Sequence, residues 1–347
     1  MTNRSLSLPQ HRLSLLGWFS KWRYHLLFLL LSTLMVAFGI REGFEFGAVN
    51  HFRDQSVQLP ILYSYADSTL FQNDILLEAR DTYITWFYPA LGVLSRVVPL
   101  YYIFLGTYLL AIGFMVGGVY YLAETLFPER NVGLVAALLW TVWLPNPGGD
   151  FIHSAFPTHT TTAMGLQLLG LTLAIRRRYT LAALLIGFAA NINAMTSFFM
   201  TAVWAMGMFA QRDEWNWRLI RIPVLIALMA APTLYWRFVM ATPTGDPAAT
   251  ETFVEIMRLR LWYAVFPFSV NLLLWVAFAG VVGLWIYSAR YAQRETNRQV
   301  FWMIQGIVIL MIIGTVFTEI FPLEFVIQLQ LLRSTWILNM FAMLYLA

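Results

Sequence analysis

PLYYIFLGTYLLAIGFMVGGVYYLA, residues 99–123, decides what kind of protein this is. The run contains no Asp, Glu, Lys, Arg or His, and a helix of about 20 such residues crosses the roughly 30 Å hydrocarbon core of a bilayer. The rest of the chain has the same character. Of its 347 residues, 59% are hydrophobic and 12% charged, and the mean hydropathy is +0.65. A soluble domain carries roughly 45–50% apolar and about 25% charged residues. Aromatics make up 16%, with 14 Trp, which fits a lipid-facing surface with interfacial belts. This composition excludes disorder, collagen, repeat solenoids and a soluble dinucleotide-binding enzyme. The absence of cysteine excludes disulfides, iron–sulfur clusters, Cys-ligated zinc and thiol nucleophiles.

Hydropathy predicts about ten spans in a single all-α transmembrane domain, residues 1–347. They are Tyr24–Ile40, Pro99–Ala123, Val132–Leu144, Thr158–Ile175, Thr180–Ala190, Ala194–Ala210, Ile222–Val239, Phe266–Ser288, Val300–Thr318 and Phe325–Ala347. Val132–Leu144 and Thr180–Ala190 are too short to cross unaided, so polar backbone covered by neighbouring helices should continue them. Tyr83–Val98 is amphipathic and interrupted by Pro89 and Arg96, which predicts an interfacial helix closing a first external loop, 41–98.

Fourteen of the 22 basic residues fall on one side of these spans, among them Lys21, Arg176–Arg178, Arg212, Arg218, Arg221, Arg290, Arg294 and Arg298. The positive-inside rule makes that side cytoplasmic, with both termini inside. A bacterial inner membrane suits the cysteine-free chain. The net charge of +4 and pI near 9.3 do not indicate nucleic acid, because the basic residues sit in short clusters between apolar runs. The N-terminal basic and apolar segments are followed by REGFEF, residues 41–46, without a cleavage pattern, so the first span is expected to stay uncleaved. The chain ends on the apolar run Trp336–Ala347 with no polar tail, which predicts a longer natural protein.

The acids are distributed the other way. Thirteen of 18 lie on the side poor in basic residues, seven of them in the first external loop: Glu42, Glu45, Asp54, Asp67, Asp74, Glu78 and Asp81. The loop reads NHFRDQSVQLPILYSYADSTLFQNDILLEARD over 50–81, and its regularly spaced Tyr, Phe, Leu and Ile predict an ordered segment.

A first span, a long acidic external loop, an interfacial helix and a bundle of short, broken spans together resemble the GT-C superfamily of membrane glycosyltransferases. The stretch from Gln58-Leu59-Pro60 to Asn73-Asp74 also resembles bacterial polytopic proteins of that architecture. The likeness covers most of the chain in topology and about 40 residues in motif. It implies transfer of a sugar from a polyprenyl-phosphate carrier to an acceptor at the external face. It also implies a loop-1 acid acting as general base or as ligand to a divalent cation, Mg2+ or Mn2+. Asp54 is the best positional match and Glu45 the second, although the loop contains no Asp-x-Asp pair.

The chemistry of glycosyl transfer needs those residue types. A base must reach the acceptor hydroxyl, and a cation must offset the leaving phosphate. Arg suits phosphate because its fork pairs two oxygens at once. Arg258 and Arg260, in ETFVEIMRLRLWY, and Arg333, in QLQLLRSTW, are the candidates. Interfacial snorkelling explains the first two equally well, whereas Arg333 opens an apolar helix where a bare charge is costly. His51, beside Asp54, and the loop acids Asp67 and Asp74 complete the candidate substrate-binding set. His153 and His159 fit no metal-ligand spacing and suit capping or packing. Asn191 and Asn193 suit inter-helix glue, with lining of a headgroup cavity as the alternative. A non-catalytic accessory or structural subunit, binding a membrane protein partner or lipid on the same fold, is the competing reading. Ion-coupled transport is disfavoured, because the span interiors contain almost no ionisable residues.

Overall fold

The computed structural model describes eight helical positions between 25 and 37 and then residues 55–347, except 75–76, 78–79, 81–82, 129–131, 141–145, 150–157 and 241–250. The described residues are all-helical, without strands. In chain order the α-helices are α1 Gln55–Ala66, α2 Phe87–Leu94, α3 Leu100–Leu126, α4 Gly133–Leu139, α5 His159–Ile175, α6 Tyr179–Ala190 and α7 Ala194–Gly207. They continue with α8 Arg221–Met229, α9 Ala231–Tyr235, α10 Glu251–Val265, α11 Leu272–Ser288, α12 Arg294–Thr315, α13 Glu324–Leu329 and α14 Thr335–Leu346. Short π turns extend α9 over Trp236–Met240 and α12 over Val316–Ile320.

Among the described residues, three helices are long and apolar enough to cross a membrane: Leu100–Leu126, Leu272–Tyr291 and Arg294–Ile320. A fourth joins them if α8 and α9, bent by 69°, count as one span. The expected ten spans are not seen as ten spanning helices. The reason is that hydropathy registers apolar residues and not unbroken helix. Val132–Leu144 contains only seven described helical residues, and Thr180–Ala190 becomes the 12-residue α6. Phe325–Ala347 is interrupted at Gln330, which adopts a left-handed φ of 49° between α13 and a 3-10 turn, Leu331–Ser334. The first predicted span, Tyr24–Ile40, lies mostly outside the described residues. The interfacial stretch 83–98 contains the eight-residue α2, about 12 Å long and far too short to span.

Helix starts follow local chemistry. α5 opens on a capping box, with Thr158 accepting from the Thr161 N–H and the Thr161 hydroxyl accepting from the Thr158 N–H. α7 opens on Asn193, whose side chain accepts from the Thr196 N–H. The core lies where α3, α5, α6, α7, α12 and α14 meet. α3 and α5 approach closely because glycines face the partner helix: a Cβ on Gly118 would sit 2.8 Å from the Leu168 Cβ, and one on Gly165 2.7 Å from the Phe114 Cβ. Gln167, fully buried on α5, donates to the Thr196 and Ser197 hydroxyls at 2.9 and 2.8 Å. Such a pair of bonds between apolar helices holds them in register, each worth about 1 kcal/mol.

Hydrogen bonds sort the connections into two ends. At one, Arg176 reaches Thr125, Thr296 donates to the Leu126 carbonyl, and Arg298 donates to the Ala210 carbonyl. At the other, the Trp86 N–H meets the Asn191 carbonyl, while Asn191 donates to the Met229 carbonyl and accepts from Thr233. The first is the end where the clustered arginines fall, called the basic end below. The opposite end carries the loop-1 helices and most of the candidate site residues.

Candidate functional site

Of the residues proposed from sequence, Glu45, His51 and Asp54 lie outside the described residues, although Asp54 directly precedes α1. α1 packs on α2 so tightly that a Cβ on Gly92 would sit 2.7 Å from the Leu62 carbonyl oxygen. Arg96 does not simply break the α2 stretch. Its guanidinium donates to the Tyr65 and Ala66 carbonyls at 2.9 and 3.0 Å, satisfying the C-terminal end of α1.

Asp67 follows at the surface, where its Oδ1 accepts the Thr69 hydroxyl at 2.7 Å and the Thr69 N–H at 2.9 Å. These two bonds hold its carboxyl below the usual carboxylate range, and the Arg96 charge adds to them. An acid kept so firmly ionised is a weak base, and Asp67 acts as the former of this turn. Asp74 is half-buried in the next turn, with its N–H on the Phe71 carbonyl.

Arg258 is engaged internally. Its Nη2 lies 2.8 Å from Glu319 Oε2, and the guanidinium covers the Phe266 ring at 4.8 Å. Glu319 Oε1 also accepts the Phe268 N–H at 2.9 Å. The Glu319 side chain is 3% exposed and that of Arg258 46%. The pair ties α10 to the π turn that ends α12, a helix irregularity of the kind that often re-aims side chains at functional sites. Arg260 stands exposed on the same α10.

Arg333 lies two residues before α14 on the 3-10 turn that follows the left-handed Gln330. The loop Asn146–Gly149 sets its backbone. A Cβ on Gly148 would collide with the Leu332–Arg333 backbone, and Gly149, at φ +68°, lies flat against the Tyr263 ring of α10. Asn146 Oδ1 accepts the Gly148 N–H at 3.2 Å and the Thr335 hydroxyl.

His159, the first residue of α5, lies at the same end of the bundle. His159 Nδ1 lies 3.0 Å from the Tyr88 hydroxyl, and the Tyr83 ring meets the imidazole edge to face at 5.6 Å. One residue on, Thr160 accepts from Asn193 at 2.9 Å. His159, Tyr88 and Tyr83 thus come together from two stretches of chain, at the end where the Arg333 turn lies. Sequence reasoning picked out Arg333 and read His159 as a capping or packing residue, but it missed Tyr83 and Tyr88. A histidine just after a cap residue was the only local signal for them. Glu319 was also missed, though an acid inside VFTEIF, residues 316–321, is costly without a partner.

Among the described residues, no three His, Asp or Glu side chains gather as a metal site would require. The loop acids that the GT-C resemblance would use for a cation, Asp54 and Glu45, lie outside this set. A cavity of about 230 Å³ opens at the basic end, lined by Phe127, Tyr291 and Tyr345 among others, far from this cluster. In comparisons with known proteins, no family model, no curated protein and no solved structure matches this chain.

Proposed function

We propose that the chain is a GT-C-type membrane glycosyltransferase working at the end that gathers Arg333, His159, Tyr88 and Tyr83. In this reading a sugar passes from a polyprenyl-phosphate carrier to an acceptor. Asp54, with Glu45 second, serves as base or divalent-cation ligand, and Arg333 holds the lipid phosphate. The protein sits in a bacterial inner membrane with both termini cytoplasmic, so this end faces outward. The observation that carries the reading is the half-buried Arg333, whose backbone packs against Gly148 at the end of the bundle that also holds His159. It lies at the same end as α1, whose first residue follows Asp54. A half-buried arginine offers a fork, and the imidazole and phenolic groups of His159 and Tyr88 at the same end offer hydrogen-bonding groups to a phosphate.

The test is mass spectrometry of lipids retained through purification. Isoprenoid phosphate retained by the wild type and lost in Arg333→Lys supports the reading, because a point charge does not replace the fork. No isoprenoid phosphate in the wild type, or equal retention in the variant, sinks it. One observation favours the accessory-subunit alternative: Arg258, one of three cations offered for phosphate, already holds Glu319.

A further inference from the structure

At the basic end, α7 and α8 are joined by MFAQRDEWNWRLIR, residues 208–221, folded as two 3-10 turns, Met208–Glu214 and Trp217–Ile220, leading into α8. The segment is fixed from below. The Trp215 indole donates to the Met208 carbonyl at 2.9 Å, its ring meets Phe209 at 5.1 Å, and Phe209 stacks on Trp302. Above that support, Trp217 is 79% exposed and Ile220 69%. Arg212 and Arg221 are exposed, and neither pairs with a carboxylate among the described side chains. The nearby acid Asp213 is already engaged, 3.6 Å from Arg177. Ile220, Val224 and Leu228, all exposed, then follow at helical spacing and form an apolar stripe running away from the basic end.

We infer that Arg212, Trp217 and Arg221 form a headgroup site for an anionic phospholipid. The two guanidinium forks take phosphodiester oxygens, Trp217 lies at headgroup level, and the Ile220–Val224–Leu228 stripe follows the acyl chain. Charge selects this occupant. A second copy of the chain on this face would bring arginine against arginine, whereas anionic lipid supplies a counter-charge. The exposed Trp also belongs at a bilayer boundary and not in open water.

The full chain is purified and placed in nanodiscs of equal phosphatidylglycerol and phosphatidylcholine, and the lipid left bound after detergent extraction is weighed by native mass spectrometry. The wild type should retain phosphatidylglycerol preferentially, and the preference should fall as salt rises. Each arginine should account for about fivefold, so Arg212→Gln with Arg221→Gln should lose about twenty-five-fold. Arg290→Gln, at the same end with its guanidinium over Tyr287, should leave the preference unchanged. Equal retention of both lipids by the wild type overturns the site, as does a preference insensitive to salt or unaffected by the double variant. A lipid-independent dimer that protects Trp217 from quenching overturns it as well. If the double variant fails to fold, the wild-type salt titration and the single variant Trp217→Ala decide the matter.

Discussion

Arg258 and Glu319, 61 residues apart, meet at 2.8 Å where α10 crosses the π turn ending α12. The carboxylate is nearly buried and the guanidinium half-exposed, so the two partners do not contribute alike. Glu319 keeps one hydrogen bond, from the Phe268 N–H, when Arg258 is gone, but its charge is then uncompensated. Truncating Arg258 to Ala should therefore destabilise the fold by about 1–3 kcal/mol, while Arg258→Ala combined with Glu319→Gln recovers much of the loss. Thermal melts of the two singles and the double in detergent give the coupling directly. Additive effects would show that the pair contributes nothing of its own.

Gly149 and Gly280 should respond oppositely to the same change. Gly149 sits at φ +68° with the Tyr263 ring where a Cβ would go, so Gly149→Ala should cost about 2 kcal/mol or more and shift the loop that seats Arg333. Gly280, inside α11, has nothing within 4 Å of a built Cβ, and Gly280→Ala should gain up to about 1 kcal/mol from helix propensity. Melting temperatures of the two variants decide it, and similar shifts of one sign would contradict the geometry.

How much of this was legible beforehand depends on how local each signal is. The starts of α5 and α7 were readable because apolar runs begin there, whereas their capping by Thr158 and Asn193 was not read, Asn193 being expected as inter-helix glue. The brevity of α2 was readable from Pro89 and Arg96, but the task of Arg96 was not, since the carbonyls it satisfies lie 30 and 31 residues back. Gln330 was invisible because a left-handed non-glycine residue leaves no compositional trace, and a continuous last span was expected as a result. The Tyr88–His159 contact spans 71 positions, and neither residue names the other in sequence. Arg333 stood out only because a charge at the mouth of an apolar run demands an explanation.

Asp67 sets a pH dependence whose sign follows from Thr69. Its folded-state carboxyl titrates below the ordinary value of 3.8, so the turn it forms is favoured above that value. The contribution disappears as pH falls through the lower, folded-state value. Amide exchange across residues 63–69 should therefore quicken only at strongly acidic pH. In Asp67→Asn, which keeps an acceptor oxygen without the charge, the acid-induced change should disappear. An unchanged acid response in that variant would assign the effect to another group.

Tyr88→Phe removes only the hydroxyl that faces His159 Nδ1, leaving a fully buried ring whose packing against Phe87 and Tyr83 survives. The cost should be about 1–3 kcal/mol, the penalty for stranding a polar nitrogen. A melt that does not move would show the Tyr88–His159 contact to be incidental.

Asp54 and Arg333 separate the enzyme from an inert relative. If Asp54 is the base, Asp54→Asn should fold as the wild type does and lose turnover by a hundredfold or more, since a positioned base contributes about that much. Arg333→Lys should fail at an earlier step, weakening retention of lipid phosphate, because an ammonium pairs oxygens one at a time. The two variants therefore differ in kind: the first binds carrier and stalls, the second binds poorly. His159 supplies the internal control, because it lies at the same end as Arg333 without being the assigned base. His159→Gln should alter retention alongside Arg333→Lys and leave the Asp54 effect intact. Retained lipid and full turnover in both Asp54→Asn and Arg333→Lys would remove the catalytic reading and leave the accessory subunit.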